Sequence, residues 1–227
     1  MSPRRGRNLQ TAGPGAQFVP SGATLGNSVS RPTGERLGVR QPGHPRGYAA
    51  VVNETRTTFL IRPVRADEYA ALGELTVAAY RAIPFEMPHQ DAYDVQLRDV
   101  ARRAGTSCVV VATTPAGELL GGVTYVSGPD DPYSEELREG EAGMRMLAVD
   151  PAHQGRGVGR ALTEWCLTRA RSDGRERLAL HTGTWMPDAV RLYERMGFVR
   201  RPELDFAPAP GVDLIAYAFE LAPAAGS

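Results

Sequence analysis

The sequence has no lysine: its 26 basic residues are all arginine, and 26 acidic residues balance them to a formal net charge of zero. Balanced charge gives no reason to expect nucleic acid or an anionic membrane as a partner. The missing lysine also removes the P-loop GxxxxGK as an explanation of any glycine-rich turn. Cysteine is scarce, with Cys108 in an apolar run and Cys166 in a helical pattern. No disulfide framework is expected, and a reducing compartment fits. The four histidines, His44, His89, His153 and His181, lie far apart and outside any HxxxH or CxxC spacing, so no metal is expected. No run reaches the length of a membrane span, and Arg4-Arg5 is not followed by the apolar core of a secretory signal. A soluble, cytoplasmic protein is expected.

What is present divides the chain. Residues 1–54 are rich in Gly, Pro, Ser, Thr and Arg, and carry seven arginines but only one acid, Glu35, before residue 50. Such a segment cannot bury enough surface to offset the entropy of ordering, so a disordered tail is expected. Its composition also resembles a transit peptide; a dispensable extension is the simpler reading. No internal repeat is visible. Residues 55–222 read as one domain and 223–227 as a short C-terminal tail.

Strand and helix signals alternate within that domain, which predicts an α/β fold. A strand is expected over Thr57 to Arg62, a helix from Asp67 to Tyr80, and a second from about Asp91 to Arg103. Between the helices, Ile83-Pro84-Phe85-Glu86-Met87-Pro88 reads as a structured loop that either serves packing or lines a pocket. Cys108–Ala112 and Leu119–Val126 form a hairpin pattern. Met144 to Val149 is a further strand, and Gly157 to Ser172 has helical spacing. Leu178 to Thr182 is a strand, and Pro187 to Met196 is a helix with Gly197 as its stop. Phe198 to Arg201 and Val212 to Leu221 close the sheet.

Gln154-Gly155-Arg156-Gly157-Val158-Gly159-Arg160 sets three glycines on alternate positions between a strand and a helix. Missing side chains let backbone N–H groups approach a ligand, and the helix N-terminus adds unpaired donors and positive dipole. A pyrophosphate suits that environment. Arg156 and Arg160 either add charge at its rim or are simply solvated. The GxGxxG fingerprint fails, since it requires glycine at Arg160.

The Gln154, Gly157 and Gly159 spacing resembles the Q/R-x-x-G-x-G/A signature of the GCN5-related N-acetyltransferase (GNAT) family, and Leu147-Ala148-Val149-Asp150-Pro151 resembles that family's fourth strand. Ala189 to Phe198 is similar to its A-x-x-L-Y-x-x-x-G-F segment. The resemblance covers about residues 57–222. It implies a single domain with a mixed, mostly antiparallel central sheet flanked by helices, and acetyl-CoA as acyl donor. Pantetheine is then expected along Leu147, Ala148 and Val149, and pyrophosphate on Gln154, Gly155, Arg156, Gly157, Val158, Gly159 and Arg160. Tyr193 matches the family's proton-donor tyrosine, and a phenol in contact with a thiolate is able to protonate it. The plainer alternative places Tyr193 in an apolar stripe with Met186, Ala189 and Val190.

The acceptor half departs from the family. Branches acting on lysine side chains carry glutamate where this chain has Gly143, and branches acting on protein N-termini carry one where it has His181. Histidine, with an unperturbed pKa near 6.5, suits His181 to the role of base, with Glu141 a lesser candidate; the plainer alternative is a structural histidine on the strand. Met186 stands where many members have an asparagine that touches CoA. Asp130, Asp131, Glu135, Glu136, Glu139 and Glu141 form an acidic segment that either attracts a cationic amine or is simply solvated. Three functions stay open: an N-acetyltransferase acting on a small-molecule or peptide amine, an acyltransferase of the same fold using another acyl group or an oxygen nucleophile, and a non-catalytic acyl-CoA sensor. Oligomeric state is open as well, with a homodimer as one alternative.

Overall fold

Runs of β-branched and small apolar residues build the sheet. The computed structural model describes residues 59–134 and 137–221. The expected tail at 1–54, the domain residues 55–58 and 222, Glu135, Glu136 and the tail at 223–227 lie outside the described residues.

In chain order the strands are β1 (Leu60–Pro63), β2 (Cys108–Thr113), β3 (Leu119–Val126), β4 (Glu141–Val149), β5 (Arg177–Gly183), β6 (Val199–Arg200), β7 (Phe206–Ala209) and β8 (Val212–Glu220). They form one sheet in the order β1-β2-β3-β4-β5-β8-β6, with β7 on β8. Every pairing is antiparallel except β4 with β5. This is the mixed, mostly antiparallel sheet expected from the sequence. β7 was not foreseen: it is short, and only its pairing with β8 across the Gly211 turn (φ 79°) defines it.

Helices α1 (Tyr69–Arg81), α2 (Gln90–Arg98), α3 (Val100–Thr106), α4 (Val158–Ser172) and α5 (Pro187–Arg195) flank the sheet. The single helix expected over 91–103 is two. Asp99 leaves the helical region (φ −78°, ψ 62°), and its carboxylate accepts from the Arg102 N–H to cap α3. Arg103, buried, donates to the Gln96 and Leu97 carbonyls and so satisfies the end of α2.

The two faces of the sheet bury different partners. Val110, Ala112, Tyr125, Met144, Leu178 and Leu180 pack with the α4 residues Ala161, Leu162 and Cys166 and with Tyr193 of α5. On the other face Val109 and Val111 pack against Leu72 of α1 and Val100 of α3. No helix among the described residues is long and apolar enough to cross a membrane.

Candidate active site

Pairing between β4 and β5 is limited to Glu141↔Arg177, Ala142↔Leu178 and Gly143↔Ala179. Beyond that point β5 stays with β8 as far as Gly183↔Leu214, and β4 stays with β3 as far as Val149↔Gly121. Among the described residues, the edge of β4 that faces β5 therefore has no ladder partner from Met144 onward, which leaves main-chain groups for an extended ligand. A bulge lies on this stretch. Thr124 faces Arg145 and Gly122 faces Ala148, so Val123 alone spans Met146 and Leu147. Met146 adopts the left-handed region at φ 51°, uncommon for a residue with a Cβ. Two glycines accommodate the close packing behind it. A Cβ on Gly121 would lie 2.5 Å from the Ala148 carbonyl oxygen, and one on Gly122 would lie 2.8 Å from the Leu72 side chain.

β4 leads into the glycine turn. The Asp150 carboxylate accepts from the Ala152 N–H at 2.8 Å and opens a short 3-10 turn over Pro151–His153. Gly155 and Gly157 both hold positive φ (74° and 83°), and α4 begins at Val158. A Cβ at either glycine would meet nothing within 4 Å, so conformation and not crowding selects glycine there. Gly159 differs: its φ is ordinary, and a Cβ would sit in normal contact with Leu192 and Val149, both at 3.5 Å. That explains why an alanine suits the last position of the motif. Val158 is buried and fixes the helix start, while Gln154, Gly155, Arg156, Gly157 and Arg160 are exposed. Arg160 is paired with Glu164 at 2.8 Å.

Tyr193 is buried in α5. Its carbonyl accepts from the Phe198 N–H at 3.0 Å, past Gly197 at φ 90°, and its ring lies 5.6 Å from that of Phe198. Burial, reinforced by the nearby Tyr80 and Cys166, pushes the phenol well above its ordinary value. Tyr193 therefore keeps its proton throughout the neutral range.

His181 lies on the opposite face from Leu180 and Tyr193, as strand alternation requires. Its Nε2 is 3.0 Å from the Leu204 carbonyl oxygen, and its ring meets Phe206 edge-on at 4.9 Å. Glu141 is elsewhere. It is buried at the paired end of β4, binds Arg177 at 3.0 Å and accepts from the Arg138 N–H at 3.0 Å. Four residues of strand lie between it and Met146, roughly 17 Å by strand rise.

Several contacts join residues that are not adjacent in sequence. Leu137 occupies the space above Gly143, where a Cβ would meet it at 3.0 Å. The Thr182 hydroxyl donates to the Met186 sulfur at 3.7 Å. Phe85, from the loop between α1 and α2, stacks on Trp185 with centroids 3.8 Å apart. In the acidic segment Asp131 points inward, accepting from the Ser107 hydroxyl and the Tyr133 N–H, so it and Glu141 are structural anchors. Among the described residues no group of three or more His, Cys, Asp or Glu side chains is arranged to hold a metal ion.

Residues 69–198 match the model of the acetyltransferase (GNAT) family. Over 136 residues the chain is 34% identical to a mycothiol acetyltransferase of Salinispora tropica, covering 60% of this chain and 42% of that one. Over 92 residues it is 36% identical to N-acetyltransferase 8 of Homo sapiens, covering 40% and 38%. The matches thus span less than half the length of these relatives. The PaiA N-acetyltransferase of Thermoplasma acidophilum, solved in complex with coenzyme A, shares the fold at a TM-score of 0.56 and 12% identity, over 72% of this chain and 99% of that one.

Proposed function

Because this chain belongs to the GNAT acetyltransferase family, we propose that it moves an acetyl group from acetyl-CoA to a primary amine by direct attack of the amine on the thioester. The observation that carries the proposal is the continuity of two elements: the bulged, one-sided edge of β4 runs directly into the two left-handed glycines at the start of α4. Leu147, Ala148 and Val149 would offer main-chain hydrogen bonds to pantetheine, as a strand would. The first-turn N–H groups of α4 and the Gln154–Arg160 turn would hold the pyrophosphate, with Arg156 at its rim. The name of the human relative, an N-acetyltransferase, supports nitrogen as the acceptor atom.

The two candidate proton carriers suit opposite ends of the reaction. An ammonium acceptor first loses a proton, for which His181 is the candidate base. The neutral amine then forms the C–N bond at the thioester carbon, and collapse of the tetrahedral adduct breaks the C–S bond. Tyr193 protonates the departing thiolate and regains a proton as the adduct nitrogen loses its second. Placement on opposite faces of the sheet lets the amine approach on the His181 side while sulfur departs toward Tyr193. Glu141, held by Arg177 at the paired end of β4, has no part in these steps.

Thiol release from acetyl-CoA, measured across a panel of small amines, amino acids and peptides, tests the proposal. Release with at least one amine, and a mass gain of one acetyl group on it, is expected. Acetyl-CoA binding without release for any amine would identify a sensor instead, and release only with hydroxyl acceptors would make the protein an O-acyltransferase.

A further inference from the structure

Gly183 ends β5 on the same face of the sheet as His181, two residues along, because successive strand positions alternate between faces. Glycine places no side chain there. The Trp185 indole fills the position instead: a Cβ on Gly183 would lie 2.3, 2.5 and 2.7 Å from three of its ring carbons. The indole is thereby folded back onto the face that carries His181.

A second ring reaches the same place from α1. That helix packs on this face, with Leu72 against Val109 and Val111, whereas Val110 and Ala112 belong to the face covered by α4. The loop after α1 brings Phe85 onto the indole at 3.8 Å, beyond the point where β4 and β5 cease to pair. Ile83, Phe85 and Met87 are half-buried while Pro84, Glu86 and Pro88 are exposed, so the loop turns its apolar side chains toward the protein. Both of its ends are tied. Arg81 before it and Gln90 after it donate to the carboxylate of Asp94, which is buried.

Charge is placed elsewhere. Glu86 is exposed, Asp188 is paired with Arg191, and the acidic 130–141 segment ends at the start of β5, where Glu141 binds Arg177. That pair is the length of β5 away, roughly 20 Å by strand rise. The flank beside the indole is aromatic, and apolar surface set against it leaves water.

We infer that Phe85 and Trp185 determine acceptor specificity: they form an aromatic wall on the His181 face that selects a primary amine carrying an aromatic or branched aliphatic group over a polyamine or a short alkylamine. The inference rests on the reading of the protein as an amine acetyltransferase. Gly183 is a positioning residue, since the indole keeps its place only while that strand position has no Cβ.

Acetylation of 2-phenylethylamine, isopentylamine, ethylamine and spermidine by the full chain tests this. The kcat/KM for 2-phenylethylamine is expected to exceed those for ethylamine and spermidine by about 10-fold or more. Aromatic rings also attract cations, and a preference for spermidine would overturn the inference in that direction. Two variants then probe the wall: Gly183→Ala keeps both rings but displaces the indole, and Phe85→Leu keeps apolar volume but loses the stack. In both, the ratio of 2-phenylethylamine to ethylamine is expected to fall to about 2, with acetyl-CoA affinity within a factor of about two of wild type. A merely structural role would lower all four amines alike and preserve the ratio, which would overturn the inference. Should no amine be acetylated, the transfer reading fails, and calorimetry of 2-phenylethylamine into the CoA-saturated chain decides the wall separately. Saturable binding weakened by Gly183→Ala supports it; no binding overturns it.

Discussion

Phe85 and Trp185 stack nearly parallel, 7° between planes and 3.8 Å between centroids, and so join the loop after α1 to the loop after β5. Gly183 lies directly beneath the Trp185 indole, where any Cβ would collide with the ring. Trp185 is thus held between a glycine backbone and an aromatic face, at the end of the strand that carries His181. A stacked pair of this kind contributes about 0.5–1.5 kcal/mol. Phe85→Ala is expected to destabilise the fold by about that amount, to red-shift Trp185 emission, and to raise acceptor KM more than it weakens acetyl-CoA binding. An unchanged emission spectrum would show that the stack does not form in solution.

The two kinds of glycine in the turn should respond differently to alanine. Gly157 holds φ 83°, so Gly157→Ala costs about 1 kcal/mol in backbone strain and should weaken acetyl-CoA binding. Gly159 has ordinary φ and room for a methyl group, so Gly159→Ala should match wild type in both. Parallel melts and titrations of the two variants check the contrast; equal losses would contradict it.

Gly121 controls β4 from behind. With the Ala148 carbonyl 2.5 Å from any Cβ, Gly121→Val must displace the bulged strand. A loss of about 1–3 kcal/mol in stability is expected, accompanied by weaker acetyl-CoA binding, although Gly121 is remote from the glycine turn in sequence. Chemical denaturation and calorimetry measure the two effects.

Tyr193→Phe removes the phenolic proton and keeps the buried ring. Turnover should fall about 100-fold or more while acetyl-CoA affinity stays within a factor of about two. Steady-state kinetics with calorimetry decides this, and equal turnover would remove Tyr193 from the mechanism. Since burial raises the phenol, no alkaline limb from Tyr193 is expected below the ordinary phenol range.

Acid stability has an identifiable contributor in Glu68. Its carboxylate binds Arg62 at 2.6 and 2.7 Å and accepts from the Arg65 N–H at 2.9 Å, and the Arg62 guanidinium above all holds it at about 2, below its ordinary 4.5. A depressed carboxyl stabilises the fold fully above its unfolded value, and that stabilisation is lost as pH falls from about 4.5 through about 2. Glu68→Gln should cost about 1–2 kcal/mol at neutral pH, a modest figure because Arg65 is solvent-exposed, and the difference from wild type should narrow across that acid window. Melting curves at stepped pH measure it.

Local chemistry made much of this fold readable. The Gln154–Gly159 turn, the Pro187 start of α5 and the Gly197 stop each depend on a few neighbouring residues, and all are found in place. What the sequence hid depends on distant partners. Nothing in Met144-Arg145-Met146-Leu147 announces a left-handed methionine; the bulge follows from register against β3, where Gly121 allows close approach of Ala148. The break at Asp99 was masked by continuous helical periodicity, and buried Arg103 reinforces it. Counting acids in the 130–141 segment could not reveal that Asp131 and Glu141 turn inward. The strand edge and turn proposed to hold the donor were legible because main chain and glycine define them. The contacts near the end of β5, Leu204 with the His181 ring and Phe85 with Trp185, form only after the strands and helices have packed.

Titration calorimetry of acetyl-CoA into the wild-type chain and into Gly157→Glu, with circular dichroism to verify that both are folded, is the most direct measurement of the donor site. Saturable binding by the wild type and none by the folded variant is the expected result. Undiminished binding by Gly157→Glu would contradict the placement of the donor on the glycine turn.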